Sequence, residues 1–344
     1  MGLQIGELVP KKSIKLENLK GKVIAVDAFN TIYQFLANIR QPDGTPLMDS
    51  KGRITSHLSG LFYRTINLMT LGLKLVYVFD GKPPELKKET ALEREERKRE
   101  AYQKYEKARE EGVKEEMFKY AKQTIKLDDE MIQESKKLLQ DLGLPVIQAP
   151  SEGESQAAFI ARKEAFAVAS QDYDSLLFGA PRLIQNLTLA RKRKLASGAF
   201  IPIEPEIIEL EDVLNSLQIN LDQLICLGIL SGTDFNPGGI RGIGPKKALE
   251  IVKKYKQPVL IFQAVAKQLE QQETPFDWKE IFELFKKPNV TKEYKIKFSK
   301  IKVDNIKRLL CKEHDFSDER VDNALKKLEE AREESKQKGL SEFI

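Results

Sequence analysis

The sequence predicts an α/β protein built on a mainly parallel, twisted sheet flanked by helices. Three observations predict it. Short apolar runs of strand length alternate with segments whose apolar residues recur at helical spacing. The first two runs are joined by a stretch long enough for the right-handed crossover that parallel pairing requires. Four of the runs lead into carboxylates, and in an open parallel sheet ligands lie just beyond the carboxyl ends of the strands.

The first strand, residues 22–26, ends at Asp27. Ile32, Phe35, Leu36 and Ile39 then mark a helix, and a polar loop follows at 41–46. Thr55 or Ser56 caps a second helix whose buried stripe is Leu58, Leu61, Phe62, Thr65, Leu68 and Met69. The second strand, 73–79, ends at Asp80 and completes a βαβ unit. Pro83-Pro84 then opens a segment, 85–130, dominated by Lys, Arg and Glu. Pairs such as Glu93/Arg97 and Glu100/Lys104 place the acid four residues before the base, the favourable order on a helix. The segment reads either as a solvated helical insertion or as a substrate entrance, because it interrupts an α/β core at a strand end. A helix around 131–142 follows, then a third strand, 144–148, leading to Glu152 and Glu154. Next come a helix around 156–163, a fourth strand, 165–170, leading to Asp172 and Asp174, and a candidate fifth strand at 182–186. Beyond about Ile207 the chain reads as mostly helical.

Composition narrows the class. A chain of 344 residues buries a substantial core, and its length alone favours two domains. It is 41% hydrophobic and 32% charged, and no apolar run approaches the roughly 18 residues of a membrane span, so no membrane partner is expected. The start, residues 1–6, lacks a signal-peptide core, and Gly6 stands where a myristoylation signal wants Ser or Thr. Cys226 and Cys311 are too distant for a C-x-x-C arrangement, which suggests neither zinc nor a disulfide framework and gives an intracellular reading. With only His57 and His314, most His-based catalysis and most transition-metal sites are excluded. A net charge of +5 is compatible with a nucleic-acid partner.

The acids carry the chemistry. Asp27, Asp80, Glu152, Glu154, Asp172 and Asp174 converge on one rim, and Asp234 ends a further apolar, helix-like run at 224–230. Each has a bland alternative. An Asp at a strand end caps the next helix, and Ser151-Glu152-Gly153-Glu154 fits a capping box. Jointly they point elsewhere, since two unit charges about 5 Å apart repel by roughly 3 kcal/mol at an effective dielectric near 20. Oxygen ligands with almost no histidine select Mg²⁺, with Mn²⁺ as a substitute. Two such ions suit phosphodiester hydrolysis. The acid count favours a nuclease over a single-Mg²⁺ phosphatase, whose first strand would end in D-x-D where this chain has Asp27-Ala28-Phe29.

A second informative stretch is Gly238 to Ala248. Gly242-Ile243-Gly244 makes a tight turn, Pro245 suits the first helical position, and Lys246 and Lys247 occupy the first turn. Cations there oppose the helix dipole unless an anion binds, so the segment reads as a phosphate site touching backbone and not bases. Arg191-Lys192-Arg193-Lys194, read as a loop, is either a solvated turn or a DNA contact. Phe35 reads as core, whereas Tyr33 is either core or a face for an unpaired base.

With these residues in place the chain resembles the structure-specific 5′ nucleases, and most closely the flap endonucleases of archaea and eukaryotes. The resemblance covers nearly the whole chain. Its most specific stretches are Tyr77-Val78-Phe79-Asp80-Gly81-Lys82-Pro83-Pro84, Ala149-Pro150-Ser151-Glu152-Gly153-Glu154 and residues 170–179. It implies that the seven acids bind two Mg²⁺ and that Lys87 and Arg94 reach the scissile phosphate. The 85–130 insertion becomes a helical arch threaded by a 5′ single strand. The segment at about 224–255 becomes a helix–two-turn–helix that holds duplex DNA with a K⁺ ion. Tyr33 falls where the family stacks an aromatic on the unpaired base, Arg40 falls near the strand junction, and Gly2 near the active site. Residues 1–315 then form one nuclease domain, divided into an N-terminal region (1–84), the arch and an internal region (131–260). A C-terminal helix (316–336) and a tail (337–344) follow.

That tail resembles the sliding-clamp (PCNA) binding motif, with Gln337, Leu340, Phe343 and Ile344 at its key positions and Ile344 in place of the second aromatic. The other reading is the frayed end of the helix. The implied activity is Mg²⁺-dependent cleavage at the base of 5′ flaps in DNA, with 5′ exonuclease activity, in replication and repair. The enzyme is expected to be monomeric when free. A sibling repair or junction nuclease and a non-catalytic clamp-bound scaffold are the alternatives. No long basic extension follows the tail motif, which resembles archaeal members and implies an archaeal cytoplasm; a eukaryotic source would imply the nucleus.

Overall fold

Residues 23–27 are apolar up to their last position, and they form the middle of the sheet. The computed structural model describes residues 3–341 except 42–43, 112, 114–115, 117–119, 121–123, 125, 189–191, 195–199 and 273–275, with backbone alone at 88–94, 109–110, 192–194, 200–202 and 335–341. The strands are β1 (Lys12–Ser13), β2 (Val23–Asp27), β3 (Lys74–Phe79), β4 (Val146–Gln148), β5 (Ala167–Ala169), β6 (Arg182–Gln185), β7 (Lys192–Lys194), β8 (Phe200–Pro202) and β9 (Glu206–Glu209). Seven of them form one sheet in the order β1-β9-β6-β5-β2-β3-β4. The run from β6 to β4 is parallel throughout, and β9 pairs antiparallel with both β6 and β1.

That order contains a switch point. From β2 the chain moves outward through β3 and β4, then returns to place β5 on β2's other side. The carboxyl ends of β2 and β5 therefore open a crevice between diverging connections, the place where open α/β sheets bind ligands.

Alternate side chains of each strand face opposite layers. Ala25, Val76, Val78, Val168 and Leu183 point into one core, with α5 (Gly153–Ala161) and α8 (Leu221–Ser231) above them. Ile24, Val26, Leu75, Tyr77 and Ile184 point into the other. That second layer is covered by α1 (Ala28–Asn38), α2 (Ser56–Thr70), α4 (Asp129–Asp141) and α14 (Asp318–Ser341). The expected stripe of α2 is wholly buried, and Thr65 Oγ1 meets the buried Tyr77 hydroxyl at 2.8 Å.

Four expectations need correction. The structure adds β1 and β9 at the far edge and pairs β7 with β8 in a separate hairpin. Lys192–Lys194 is therefore strand and not loop, while Arg191 lies outside the described residues. Neither Thr55 nor Ser56 caps α2 by its side chain. The Ser56 hydroxyl instead donates to Ile39 O at 2.7 Å and accepts from Leu47 N at 2.9 Å, tying the preceding loop to the helix. The capping box at Ser151 does not form: α5 starts after Glu152 with no side-chain cap, and Glu154 turns inward.

Candidate active site and nucleic-acid interface

Sheet register builds the rim. Asp27 pairs opposite Val78, so Asp27 and Asp80 end adjacent strands two residues apart. Phe79 pairs opposite Gln148, from which a short turn carries the chain to Glu152 and into α5. Gly81 makes that turn feasible. Its N–H donates to Ser151 O at 2.6 Å, and a Cβ on it would lie 2.2 Å from Ala149 O. Asp172 follows β5, and Asp174 opens the short helix α6 (Asp174–Leu177). Asp234 is held from the other side, just beyond α8, by a tight turn. There Asn236 Oδ1 accepts from Thr233 N and Oγ1, and Asn236 Nδ2 donates to Ile229 O at 2.7 Å.

Each acid has a defined neighbour. Asp27, 5% exposed, accepts from Asn30 N at 3.0 Å, so it caps α1 as well as facing the rim. Asp80 accepts from Gly153 N at 2.8 Å, Glu154 from Ser170 Oγ at 3.1 Å, and Asp172 from Asn30 Nδ2 at 2.8 Å. Asp174, 2% exposed, accepts from Leu3 N at 3.2 Å, which brings the segment at Leu3 to the rim. Gly2 itself is outside the described residues.

These groups repel one another. Burial, then Asp80, pushes Asp27 well above the usual carboxylate range. Burial, then Asp174 and Asp27, does the same to Glu154. Asp80 is pushed up to about 6 by burial and Glu152, against the Gly153 N–H. Asp174 is pushed up to about 7 by burial, Asp234 and Asp172. Lys87 ends the 3₁₀ turn Glu85–Lys87 at the base of α3 (Lys88–Glu110) and puts its ammonium among them. It bonds Glu152, stands 3.5 Å from Asp234 Oδ2, and lies 5.0 Å over the Phe235 ring. Burial works against its charge, but Glu152 and Asp234 outweigh burial and raise its pKa.

Among the described residues, no three His, Cys, Asp or Glu side chains are already set around a single ion. The donor chemistry nonetheless fits hard divalent cations. Among the described residues the rim is lined by carboxylates, burial and mutual repulsion promote their protonation, and the Lys87 ammonium is wedged between two of them.

The expected phosphate site lies beside this rim. Gly244 precedes α9 (Pro245–Tyr255), with Pro245 at its start and Lys246 and Lys247 in its first turn. Gly242 has φ +78°, a left-handed conformation that glycine adopts freely. A groove of about 910 Å³ joins Gly244, Lys246 and Lys247 to Leu3, Asp172 and Tyr173. Lys246 approaches Glu7 at 3.5 Å, and Lys247 donates to Gly242 O at 3.3 Å. Tyr33 is 39% exposed, with the Lys98 ammonium of α3 5.5 Å over its ring, whereas Phe35 is core. Arg40 braces its own loop, donating to Ala37 O at 3.2 Å and Gly44 O at 2.8 Å.

The XPG N-terminal domain family matches residues 4–101 and the XPG I-region family matches 143–234. Together they carry all seven acids. Flap endonuclease 1 of Pyrococcus abyssi is 54% identical over 100% of this chain and 98% of its own, and that of Thermococcus onnurineus is 53% identical over 100% and 99%. The solved flap endonuclease-1 from Methanococcus jannaschii superposes with a TM-score of 0.75 at 41% identity, covering 96% of this chain and 98% of that one. The chain belongs to the flap endonuclease 1 family. It is a structure-specific 5′ flap nuclease of DNA replication and repair, from a family that depends on divalent metal.

For this flap endonuclease, the residue pattern brought six of the acids to one rim, the family resemblance added Asp234 and Lys87, and the neutral partners of the acids were missed. Asn30, Ser170 and the Leu3 amide bond the acids directly. Only Asn30 carried a signal, its position three residues beyond Asp27 on a helix. The side chains of Arg94, Lys192, Arg193, Gln337 and Leu340, and all of Phe343 and Ile344, lie outside the described residues. The backbone of α14 continues through Gln337 and Leu340 to Ser341, past the expected helix end at 336.

Proposed function

We propose that this flap endonuclease cuts at the base of 5′ flaps using two Mg²⁺ ions held by Asp27, Asp80, Glu152, Glu154, Asp172, Asp174 and Asp234. The observation that carries the reading is the gathering of these acids at the ends of β2, β3 and β5 and the starts of α5 and α6, with the Lys87 ammonium between Glu152 and Asp234. Bound divalent ions supply charge neutralisation at the phosphodiester and a water of lowered pKa. Lys87 faces the charge that develops on the phosphoryl oxygens, and the family resemblance gives Arg94, about two turns further along α3, the same task. Hydrolysis leaves a 3′-hydroxyl on the released flap and a 5′-phosphate on the strand that stays paired. The start of α9 grips a duplex phosphate through free N–H groups, Lys246 and Lys247, with a K⁺ ion at the turn. The exposed ring of Tyr33 stacks on the unpaired base, and Arg40 shapes the loop beside the strand junction. Residues 85–130 form the threading arch within one nuclease domain, 1–315. The enzyme acts as a monomer in an archaeal cytoplasm and meets a sliding clamp through Gln337, Leu340, Phe343 and Ile344.

The test compares labelled 5′-flap, bubble, four-way-junction and duplex substrates, with and without Mg²⁺, for the wild type and Asp174→Asn. Metal-dependent cutting at the flap base is expected, with cleavage by Asp174→Asn reduced at least about 100-fold and duplex binding kept. Equal cleavage of every substrate would remove the flap assignment. For the tail, Phe343→Ala is expected to lower clamp-stimulated cleavage and spare basal cleavage; unchanged stimulation returns the segment to a plain helix end.

A further inference from the structure

After α12 (Trp278–Lys286) the chain runs for sixteen residues, 287–302, without helix or strand before α13 (Val303–Lys307). It begins at the catalytic rim, where a cleft of about 490 Å³ joins Glu152, Ser151 and Lys82 to Lys287 and Asn289. It then descends the flank of α5. Gln156, near the catalytic end of that helix, exchanges two hydrogen bonds with the Thr291 backbone, at 3.0 and 2.8 Å. Tyr294 sets its ring edge on Phe159 and donates its hydroxyl to Glu164 Oε1 at 2.7 Å, beyond the helix's far end. Ser299 N reaches Gly143 O at 2.9 Å and Lys302 N reaches Asp141 O at 2.8 Å, at the opposite edge of the sheet.

The strap is anchored on one side and charged on the other. Tyr294 and Ile296 pack on the core while Lys295 and Lys297 are exposed, the period-2 alternation of extended backbone. Lys292, Lys295, Lys297 and Lys300 are all exposed, and none is paired with a carboxylate among the described residues. Arg162 and Lys163, against the same Phe159 ring, widen the cationic stripe. The strap's apolar residues attach it to the core, and it exposes four ammonium groups along its course away from the rim, with Lys295 and Lys297 alternating against Tyr294 and Ile296. In extended backbone two residues span about 7 Å, a rise that suits successive phosphates of an unstacked single strand.

We propose that this strap is an electrostatic track for the single-stranded 5′ arm of the substrate, engaging flap nucleotides remote from the scissile bond. The inference rests on the flap endonuclease activity and adds to it a preference for longer flaps set by Lys292, Lys295, Lys297 and Lys300.

The test uses the full chain with all four lysines changed to Gln, and a matching set changed to Arg. Binding to nicked duplexes bearing flaps of about 2 and about 30 nucleotides is measured across a salt series in metal-free buffer. Cleavage of the short flap is measured with Mg²⁺. The wild type is expected to bind the long flap more tightly. The Gln set should lose about tenfold of that advantage and flatten the salt slope for the long flap by about 3. The Arg set should restore both, and short-flap binding and cleavage should stay within about twofold of wild type. A wild type without a long-flap advantage, or a Gln set that retains it, overturns the track. Equal weakening on both substrates also overturns it, placing the lysines on the duplex instead. Failure of the wild type to cut the short flap would count against the flap endonuclease reading itself.

Discussion

Asn30 serves both sides of the crevice at once. Its amide nitrogen donates to Asp172, its carbonyl accepts from Gln171 N at 3.2 Å and Gln34 Nε2 at 2.6 Å, and its backbone N–H caps onto Asp27. Asp27 ends β2 and Asp172 follows β5, so one residue holds acids from two strands, the first by its backbone N–H and the second by its side chain. Asn30→Ala is expected to raise the Mg²⁺ concentration for half-maximal cleavage about 10–100-fold, as losses among groups that orient metal ligands do. A metal titration of flap cleavage checks this, and an unchanged midpoint would show that Asp172 keeps its place alone. The acids were legible because a charge closing an apolar run stands out in any reading. Their neutral partners were not, because Ser170 and Leu3 acquire meaning only when the fold sets them beside Glu154 and Asp174.

The junction of β3 and β4 shows the same logic in an element. Those strands were legible from continuous apolar runs, which only burial on both faces explains. What the runs do not reveal is how closely the two strand ends approach beyond the last ladder pair, Phe79 with Gln148. Gly81 sits in that gap, and a methyl group there meets backbone, which cannot rotate away. Gly81→Ala is expected to cost about 1–3 kcal/mol, the range of overpacking in a close-packed interior. It should also lower cleavage by separating Asp80 from Glu152. Urea unfolding tests it: the midpoint should fall with the m-value unchanged, and an unmoved midpoint would mean that the turn relaxes freely. The strands left unread are short and carry at most a two-residue aliphatic or aromatic pair, Phe200-Ile201 in β8 and Ile207-Ile208 in β9. β1 has two residues and β7 is Lys192-Arg193-Lys194, paired with a strand ending in Pro202.

At the scale of the whole molecule, the two histidines set aside from catalysis tie distant segments together. His314, at the end of the π-helical turn Arg308–Glu313, bonds Asp49 Oδ2 at 3.0 Å and Glu134 Oε1 at 2.7 Å. His57 of α2 lies 3.6 Å from the other Glu134 oxygen with no hydrogen-bond partner on either ring nitrogen, and Arg53 pairs with Asp49 at 2.8 Å. Three stretches far apart in sequence, around 49–57, Glu134 and His314, thus meet behind the sheet layer opposite α5. Burial opposes charge on these groups, but the pairing wins: Glu134 is held down at about 2 by His314 and His57, and Asp49 at about 2 by Arg53 and His314. His314 is raised above its ordinary value by Glu134 and Asp49, against burial and Arg53. The depressed carboxylates stabilise the fold above their ordinary range near 4, and that contribution is lost as pH falls towards 2. The raised imidazolium stabilises it below 6.5, and that contribution is lost as pH rises through its folded value. Both charges coexist between those limits, so Glu134→Gln should be most costly near pH 6. The expected loss there is about 1–2 kcal/mol, roughly 2–6 °C in Tm for a chain of this size. As pH rises through the folded value of the imidazolium, its charge is lost and the gap in Tm should narrow. Melting curves of wild type and variant across that range decide it, since a gap independent of pH would assign Glu134 to packing alone.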